Sequence, residues 1–284
     1  MFSLRQVIAV LCLALAPAAL DSQSTTAPAS RSCEEIESFL LNGKLGTLSP
    51  ARKGITGVQQ STMEHNGLQH TVYVSTIDDR KTTFQSAQGT ELNFRDSWKF
   101  NVAGYRLARL LGLNMVPPYV ESRVSGKSAS FTWGVPNVAM DEVERKRKNI
   151  DPPDLAAWNR QMYVVRVFDQ LIHNMDRNLT NLLITTDWQI WMIDHGRAFR
   201  LHKSLKEVKN LVQCDRRLLA RMRELDKPLL QKHLRPYVTD GEIDGLLGRR
   251  DRLVAFFEKE VAAKGEAAIL YDLDRSSQPC GVGL

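Results

Sequence analysis

Apolar and polar positions alternate up to Met63 and again through LQHTVYVSTI at 68–77, with Asn66-Gly67 between the two runs. A two-residue period on both sides of Asn-Gly predicts a β-hairpin. A second hairpin is predicted from 120–124 and 128–135 around Ser125-Gly126. Between the hairpins the period lengthens. Phe100, Val102, Tyr105, Leu107, Leu110 and Leu111 recur near the helical step, predicting a helix over 94–113 that stops at Gly112 ahead of Pro117-Pro118. A short helix over 33–42 precedes all of this.

Beyond Val135 the pattern turns helical. Trp158, Met162, Val165, Phe168 and Leu171 predict a helix that starts from an Asp154 cap and runs to His173. Further helices are expected over 205–212, 216–225, 229–234 and from Glu242 onward, the last opened by the capping box Thr239-Asp240-Gly241-Glu242. The charged stretch 141–149, followed by Pro152-Pro153, reads as a mobile connection. One interruption stands out: LLIT and QIWMI, separated by Thr186 and Asp187, predict a tight two-residue hairpin inside the helical half. Strands first and helices afterwards make an α+β chain.

Composition adds the surroundings. The 284 residues are 43% hydrophobic, enough for a two-lobed core or two modest domains. Residues 1–20 read as a signal peptide, with Arg5 before an apolar run and Ala16-Pro17-Ala18 at the cleavage site. Residues 21–32, rich in Ser, Thr, Ala and Pro, read as a flexible tether. The chain is therefore expected to be exported, periplasmic or secreted. Membrane association arises only if the leader stays uncleaved, since its apolar run is shorter than a bilayer span. Cys33, Cys214 and Cys280 then remain, an odd number with no pairing legible in the sequence. The net charge of +6 and pI near 9.2 suit a phosphate-rich ligand, but the basic residues form no long run, so a nucleic-acid partner is not expected.

Candidate chemistry concentrates in 168–199. Asp176 precedes Asn181 on one loop, and the hairpin returns Asp194 to within about two residues of a position opposite Asn181. Carboxylate and amide oxygens converging with no opposing charge suit a hard cation such as Mg²⁺, with Asp176 beside it. Arg177 orients this loop, meets phosphate, or pairs with a carboxylate such as Asp169. His173 and His195 lack companions at zinc-ligand spacing and read as supporting residues. Asn178-Leu179-Thr180 is formally a glycosylation sequon within the same loop.

Asp176-Arg177-Asn178-Leu179-Thr180-Asn181, a hairpin, and then Asp194-His195-Gly196 resemble the catalytic and metal loops of protein-kinase-like phosphotransferases. The flanks N-M-D-R and D-H-G-R-A-F resemble the atypical branch of that superfamily. It includes the secretory-pathway Golgi kinases with Four-jointed, the type II phosphatidylinositol 4-kinases and the HipA-like kinases. The resemblance implies a two-lobed fold, with a β-rich small lobe over 33–136, a mainly helical large lobe over 137–270 and a tail over 271–284. It implies ATP and Mg (or Mn) as cofactors, a hydroxyl-bearing acceptor, Asp176 as the catalytic base, and Asn181 and Asp194 as metal ligands. Gly54 and Gly57 would lie over the phosphates, and Val135, in the crossing Gly134-Val135-Pro136, against the nucleotide base.

One half of the pattern departs from the family. The lysine that holds phosphates and its acidic partner on the small-lobe helix are replaced by Ser75 and Asn101. Lys53, Lys81, Lys99 and Glu91 are the other charges available, with solvated surface as their default reading. The alternative to a kinase is therefore an inactive pseudokinase acting as a nucleotide-binding or protein-interaction module.

Overall fold

The structure is a computed structural model that describes residues 31–51, 57–86, 89–174 and 177–274. The leader at 1–20, most of the tether, Lys53, Gly54, Asp176 and the tail beyond 274 lie outside the described residues.

The chain enters through helix α1 (Cys33–Asn42) and the short strands β1 (Lys44–Leu45) and β2 (Ser49–Pro50). Ser32, expected in the tether, caps α1 instead: its Oγ accepts from Glu35 N, and the Glu35 carboxylate accepts from Ser32 N. Strands β3 (Val58–His65) and β4 (Leu68–Ser75) form the predicted hairpin, with Asn66 and Gly67 at φ 49° and 76° as its turn type demands. Next come strands β5 (Asp78–Ser86) and β6 (Gly89–Ser97), helix α2 (Trp98–Leu110), and the hairpin of β7 (Tyr119–Val124) and β8 (Lys127–Trp133). The main sheet is antiparallel, in the order β1-β3-β4-β8-β7 with β2 also on β3. Ile36, Phe39 and Leu40 of α1 bury against Met63, Val72, Val74, Phe131 and Trp133 of this sheet.

The hairpin β5–β6 was not predicted, and the helix expected from 94 begins only at Trp98 because Phe94 to Ser97 are paired with β5. Charged and polar residues occupy both faces of the two strands, so no apolar alternation marks them.

The mainly helical half contains β9 (Val138–Asp141), α3 (Glu142–Arg147), α4 (Leu155–Ile172), β10 (Leu182–Thr185), β11 (Ile190–Met192), β12 (Cys214–Asp215), α5 (Arg216–Glu224), α6 (Lys227–Leu234), α7 (Asp240–Lys264), α8 (Glu266–Ile269) and β13 (Leu270–Tyr271). The stretch 141–149 is therefore not a mobile connection. The Asp141 carboxylate caps α3 by accepting from Glu144 N, and Arg145 pairs with buried Glu142 while lying over the Trp158 ring. Over 205–212 there is only a single 3-10 turn at Val208–Asn210: Leu205 and Leu211 pack onto the core, but Glu207 between them sits in the left-handed region at φ 39°, which interrupts a helix. The hairpin of β10 and β11 has a longer connection than expected, 186–189, with Trp188 at φ 64°. Its β10 strand also pairs with β9. Cys33 is disulfide-bonded, and Cys214 is a free, buried thiol.

A single core cluster joins α2 to α4, to the β10–β11 hairpin and to α5–α7, through Phe100, Leu107, Phe168, Leu171, Phe199, Ile243 and Leu246. Deep in it lies Arg249 of α7, fully buried. Its Nε donates to Leu171 O at 2.8 Å, and its Nη1 donates to Arg200 O at 2.8 Å and to His202 O. These carbonyls belong to the last turn of α4 and to the segment after the β10–β11 hairpin, both of which would otherwise be buried without donors. Arg249→Ala should lower unfolding free energy by about 3 kcal/mol, since it orphans these carbonyls and leaves a cavity. The shift in urea midpoint measures it, and a variant of unchanged midpoint would remove Arg249 from the framework.

Candidate active site

Helix α4 delivers the first loop. Asp154 caps its start, accepting from Ala156 N and Ala157 N at 2.9 and 3.0 Å, and His173 ends it in the left-handed region at φ 51°. That reversal turns the chain into Asn174, whose N–H donates to Asp169 O at 2.9 Å. Arg177 then folds back over the helix end. It binds both Asp169 carboxylate oxygens at 2.9 and 3.0 Å, and its Nη1 donates to Asn181 O at 3.2 Å and Ile193 O at 2.7 Å. Of the roles open to Arg177, the carboxylate pairing is the one seen, and the same guanidinium clasps the backbones on both sides of the site. Asn178 spends its side-chain oxygen on Thr180 N, capping a 3-10 turn that ends at Asn181.

Register brings the second loop to the first. Leu182 pairs with Met192, and the next pair inward joins Ile193 N to Asn181 O at 3.1 Å. Asn181 Nδ2 donates to Asp194 Oδ2 at 3.3 Å, so the two predicted ligands sit side by side. Asp194 adopts φ +57°, a conformation that Asp tolerates better than most residues. Asp96 at the end of β6, absent from the sequence reading, faces the same space. A Cβ placed on Gly196 would stand 2.3 Å from Asp96 Oδ1 and 3.5 Å from Asp194 Oδ1, which excludes any larger residue there. Oxygen donors of this kind fit Mg²⁺ or Mn²⁺. Among the described residues no group of three or more His, Cys, Asp or Glu forms a complete metal cage, so phosphate oxygens would have to complete the shell.

The Asp194 loop is braced from α2 and the end of β6. Asn101, where the family pattern has an acid, accepts from His195 N at 2.6 Å. Ser97 N donates to Gly196 O at 2.9 Å. The His195 ring is fully buried against Gly104, where a Cβ would lie 3.1 Å away, and edge-on to Phe168 at 5.8 Å. Both of its nitrogens lack hydrogen-bond partners among the described residues. Burial, then the Arg177 charge, pushes its pKa well below the ordinary range, so the ring is a neutral packing element.

The remaining candidates divide. Ser75 is buried and its Oγ accepts from Ile77 N at 3.4 Å. Lys81 lies over the stacked Phe84 and Phe94 rings, and Lys99 Nζ binds Asp78 at 2.9 Å. Glu91 is no solvated side chain: it binds Arg197 Nη2 at 2.5 Å and also Arg200, the two arginines just past the metal loop. Gly57 opens β3 at φ +114° against Ile77, and half-buried Val135 lies between β8 and β9. Tyr119, another residue that sequence reasoning missed, is close enough to Asp194 that burial and this carboxylate push its hydroxyl up to about 12.

In shape, the chain is similar to solved kinases. A hydra Fam20 solved with sugar superposes at TM-score 0.61 and 13% identity, over 84% of this chain and 92% of that one. The Golgi casein kinase with Mn and ADP bound superposes at TM-score 0.61 and 14% identity, over 86% and 80%. The chain has a two-lobed, protein-kinase-like fold. No family model matches the sequence, and no curated protein matches it either. The likeness is one of fold.

Two consequences can be measured. Asn101→Leu leaves the His195 N–H buried without its acceptor and should cost about 1–3 kcal/mol in chemical unfolding; a neutral result would mean that another acceptor replaces it. The second concerns pH. Burial, then the Arg249 and Lys206 charges, pushes His173 down to about 3. The folded protein thus holds this ring neutral, while the unfolded chain protonates it near pH 6.5. The stability this supports is complete above about pH 6.5 and declines as pH falls toward about 3. His173→Asn, which keeps a residue suited to the left-handed turn, should flatten the slope of unfolding free energy between about pH 7 and about pH 5 by one proton. An unaltered slope would show that His173 titrates alike in both states.

Proposed function

We propose that the protein is a metal-dependent phosphotransferase that moves the terminal phosphoryl group of ATP to a hydroxyl acceptor. The observation that carries this reading is the Asn181–Asp194 pair, held at 3.3 Å by a hairpin and clasped by Arg177. The Arg177 guanidinium binds Asp169 and main-chain carbonyls on both sides of this pair, which supports a site whose backbone is fixed before any ligand arrives. The Mn and ADP named for one Golgi casein kinase structure support nucleotide and divalent metal for this chain as well.

In this reading Asn181 and Asp194 hold Mg²⁺ or Mn²⁺, with Asp96 as a neighbouring carboxylate. The bound ion supplies charge neutralisation on the phosphates. Asp176 accepts or orients the acceptor hydroxyl proton. Asn101 and Ser97 fix the metal loop on α2, so the missing lysine–acid pair is not what positions Asp194. Gly54, Gly57 and Val135 take the phosphate-covering and base-facing roles. The leader, the Golgi setting of a structural neighbour and the disulfide at Cys33 together support export to an oxidising compartment.

A pseudokinase is the second reading. Ser75 favours it, because its hydroxyl is turned onto the Ile77 backbone and neither Lys81 nor Lys99 replaces the lost charge.

The full chain, titrated with ATP in the presence and absence of Mg²⁺ or Mn²⁺, separates the two. Metal-dependent thermal stabilisation should appear in the wild type and vanish in Asp194→Ala. Asp176→Ala should retain that stabilisation while losing transfer by about 10²-fold or more. Binding without transfer in the wild type selects a nucleotide-binding pseudokinase, and stabilisation by nucleotide in none of the proteins overturns the phosphotransferase and selects a protein-interaction module.

A further inference from the structure

On the face of the β5–β6 hairpin turned away from the metal loop, the register sets Arg80 directly opposite Arg95. Like charges in that position destabilise a strand pair. The next pair on the same face is Asp78 opposite Ser97, whereas Asp79 and Asp96 occupy the other face. Arg80 and Arg95 do not point into open solvent alone. With Lys99 from the first turn of α2 and Arg235, Tyr237 and Asp240 from the link between α6 and α7, they line a cavity of about 270 Å³.

The carboxylates around this cavity are already committed. Asp78 accepts from Ser97 Oγ at 2.7 Å and Lys99 Nζ at 2.9 Å. Glu242 pairs with Arg95, and Asp240 with Arg235 at 2.9 Å and Gln231 at 3.0 Å. Arg80 pairs with no carboxylate among the described residues, and the buried Arg95 Nε has no hydrogen-bond acceptor there. Asp78, Glu242 and Asp240 thus face Arg80, Arg95, Lys99 and Arg235, and a positive charge stands in excess in a recess drawn from separate elements. Burial and the Arg80 charge also lower the Arg95 pKa.

We propose that this recess is a binding site for a small phosphate-bearing anion, separate from the Asn181–Asp194 site. Guanidinium groups suit such a ligand because they offer planar paired donors to phosphate oxygens. The anion bridges Arg80 and Arg95, with Lys99 and Arg235 at its edge, and so turns a repulsive cross-strand pair into a joint ligand.

The test uses the full chain in EDTA, which disables metal-dependent nucleotide binding, and follows thermal unfolding against inorganic pyrophosphate, with sodium chloride at equal ionic strength as the reference. A saturable rise in Tm above the chloride reference is expected in the wild type and equally in Asp194→Ala. In Arg80→Ala the midpoint of the pyrophosphate response should move at least about tenfold higher, as the loss of a charge-assisted contact implies. In chloride alone Arg80→Ala should melt no lower than the wild type, since it removes the like-charge pair. Lys99→Gln should also weaken the response. A response unchanged in Arg80→Ala, absent beyond the chloride effect, or lost in Asp194→Ala overturns the proposal. Because Asp194→Ala keeps this site and loses the other, failure here and failure of the phosphotransferase reading give different results.

Discussion

The Arg177 guanidinium is the contact on which the arrangement of the site depends. It sits where three segments meet: the last turns of α4 at Asp169, the loop end at Asn181 and the return of the hairpin at Ile193. At Asn181 O and at Asp169 it adds to the donors Ile193 N and Asn174 Nδ2, and at Ile193 O it supplies a donor at 2.7 Å. A planar group with five N–H donors can serve a carboxylate with one edge and carbonyls with the other, which a lysine cannot do. With the two backbones joined in this way, the side chains of Asn181 and Asp194 have little choice but to face each other. The same charge acts on His195, adding to the burial that keeps its ring neutral.

The small lobe reaches the Asp194 loop by a different route from the kinase pattern that the sequence resembles. A lysine and an acid would join sheet to helix through charge, and only indirectly fix the loop. Here Asn101 accepts directly from the loop at His195, Ser97 donates to Gly196, and Gly104 leaves room for the imidazole to lie against the helix. The hairpin β5–β6 adds Glu91 on Arg197 and Arg200, and Phe84 and Phe94 beneath the Arg197 guanidinium. Neutral hydrogen bonds and the Glu91 ion pairs thus do the bracing that a lysine–acid pair would otherwise do, although burial of Arg200 makes its pair with Glu91 carry a desolvation cost of its own. Arg249 completes the frame from the far side, tying α7 to the end of α4 and to Arg200 O.

Much of this was legible in the chain because local patterns carry their own physics. Asn66-Gly67 between alternating runs is a hairpin wherever it falls, the Asp154 cap and the spacing from Trp158 to Leu171 make α4, and Thr239 with Glu242 forms the capping box of α7. The spacing from Asn181 to Asp194 likewise needs only strand register to bring the two together. Where a segment is held by partners remote in sequence, the pattern misled. Helix α3 lay hidden in a charged run because its support is the Asp141 cap and Arg145 on Trp158. At 205–212 Leu205 and Leu211 do reach the core, but Glu207 turns left-handed at φ 39° between them and no helix formed.

What the sequence alone determined is most of the elements in their order and the meeting of Asn181 with Asp194, since periodicity, caps and register act over a few residues. Only the tertiary structure decided what Asn101, Glu91, Asp96, Arg177 and Arg249 do. Their partners lie across the lobes or on other helices, and a polar side chain shows no period that reveals whether it faces water or a buried carbonyl. Proximity in the folded chain, through desolvation and hydrogen-bond geometry, assigns those roles.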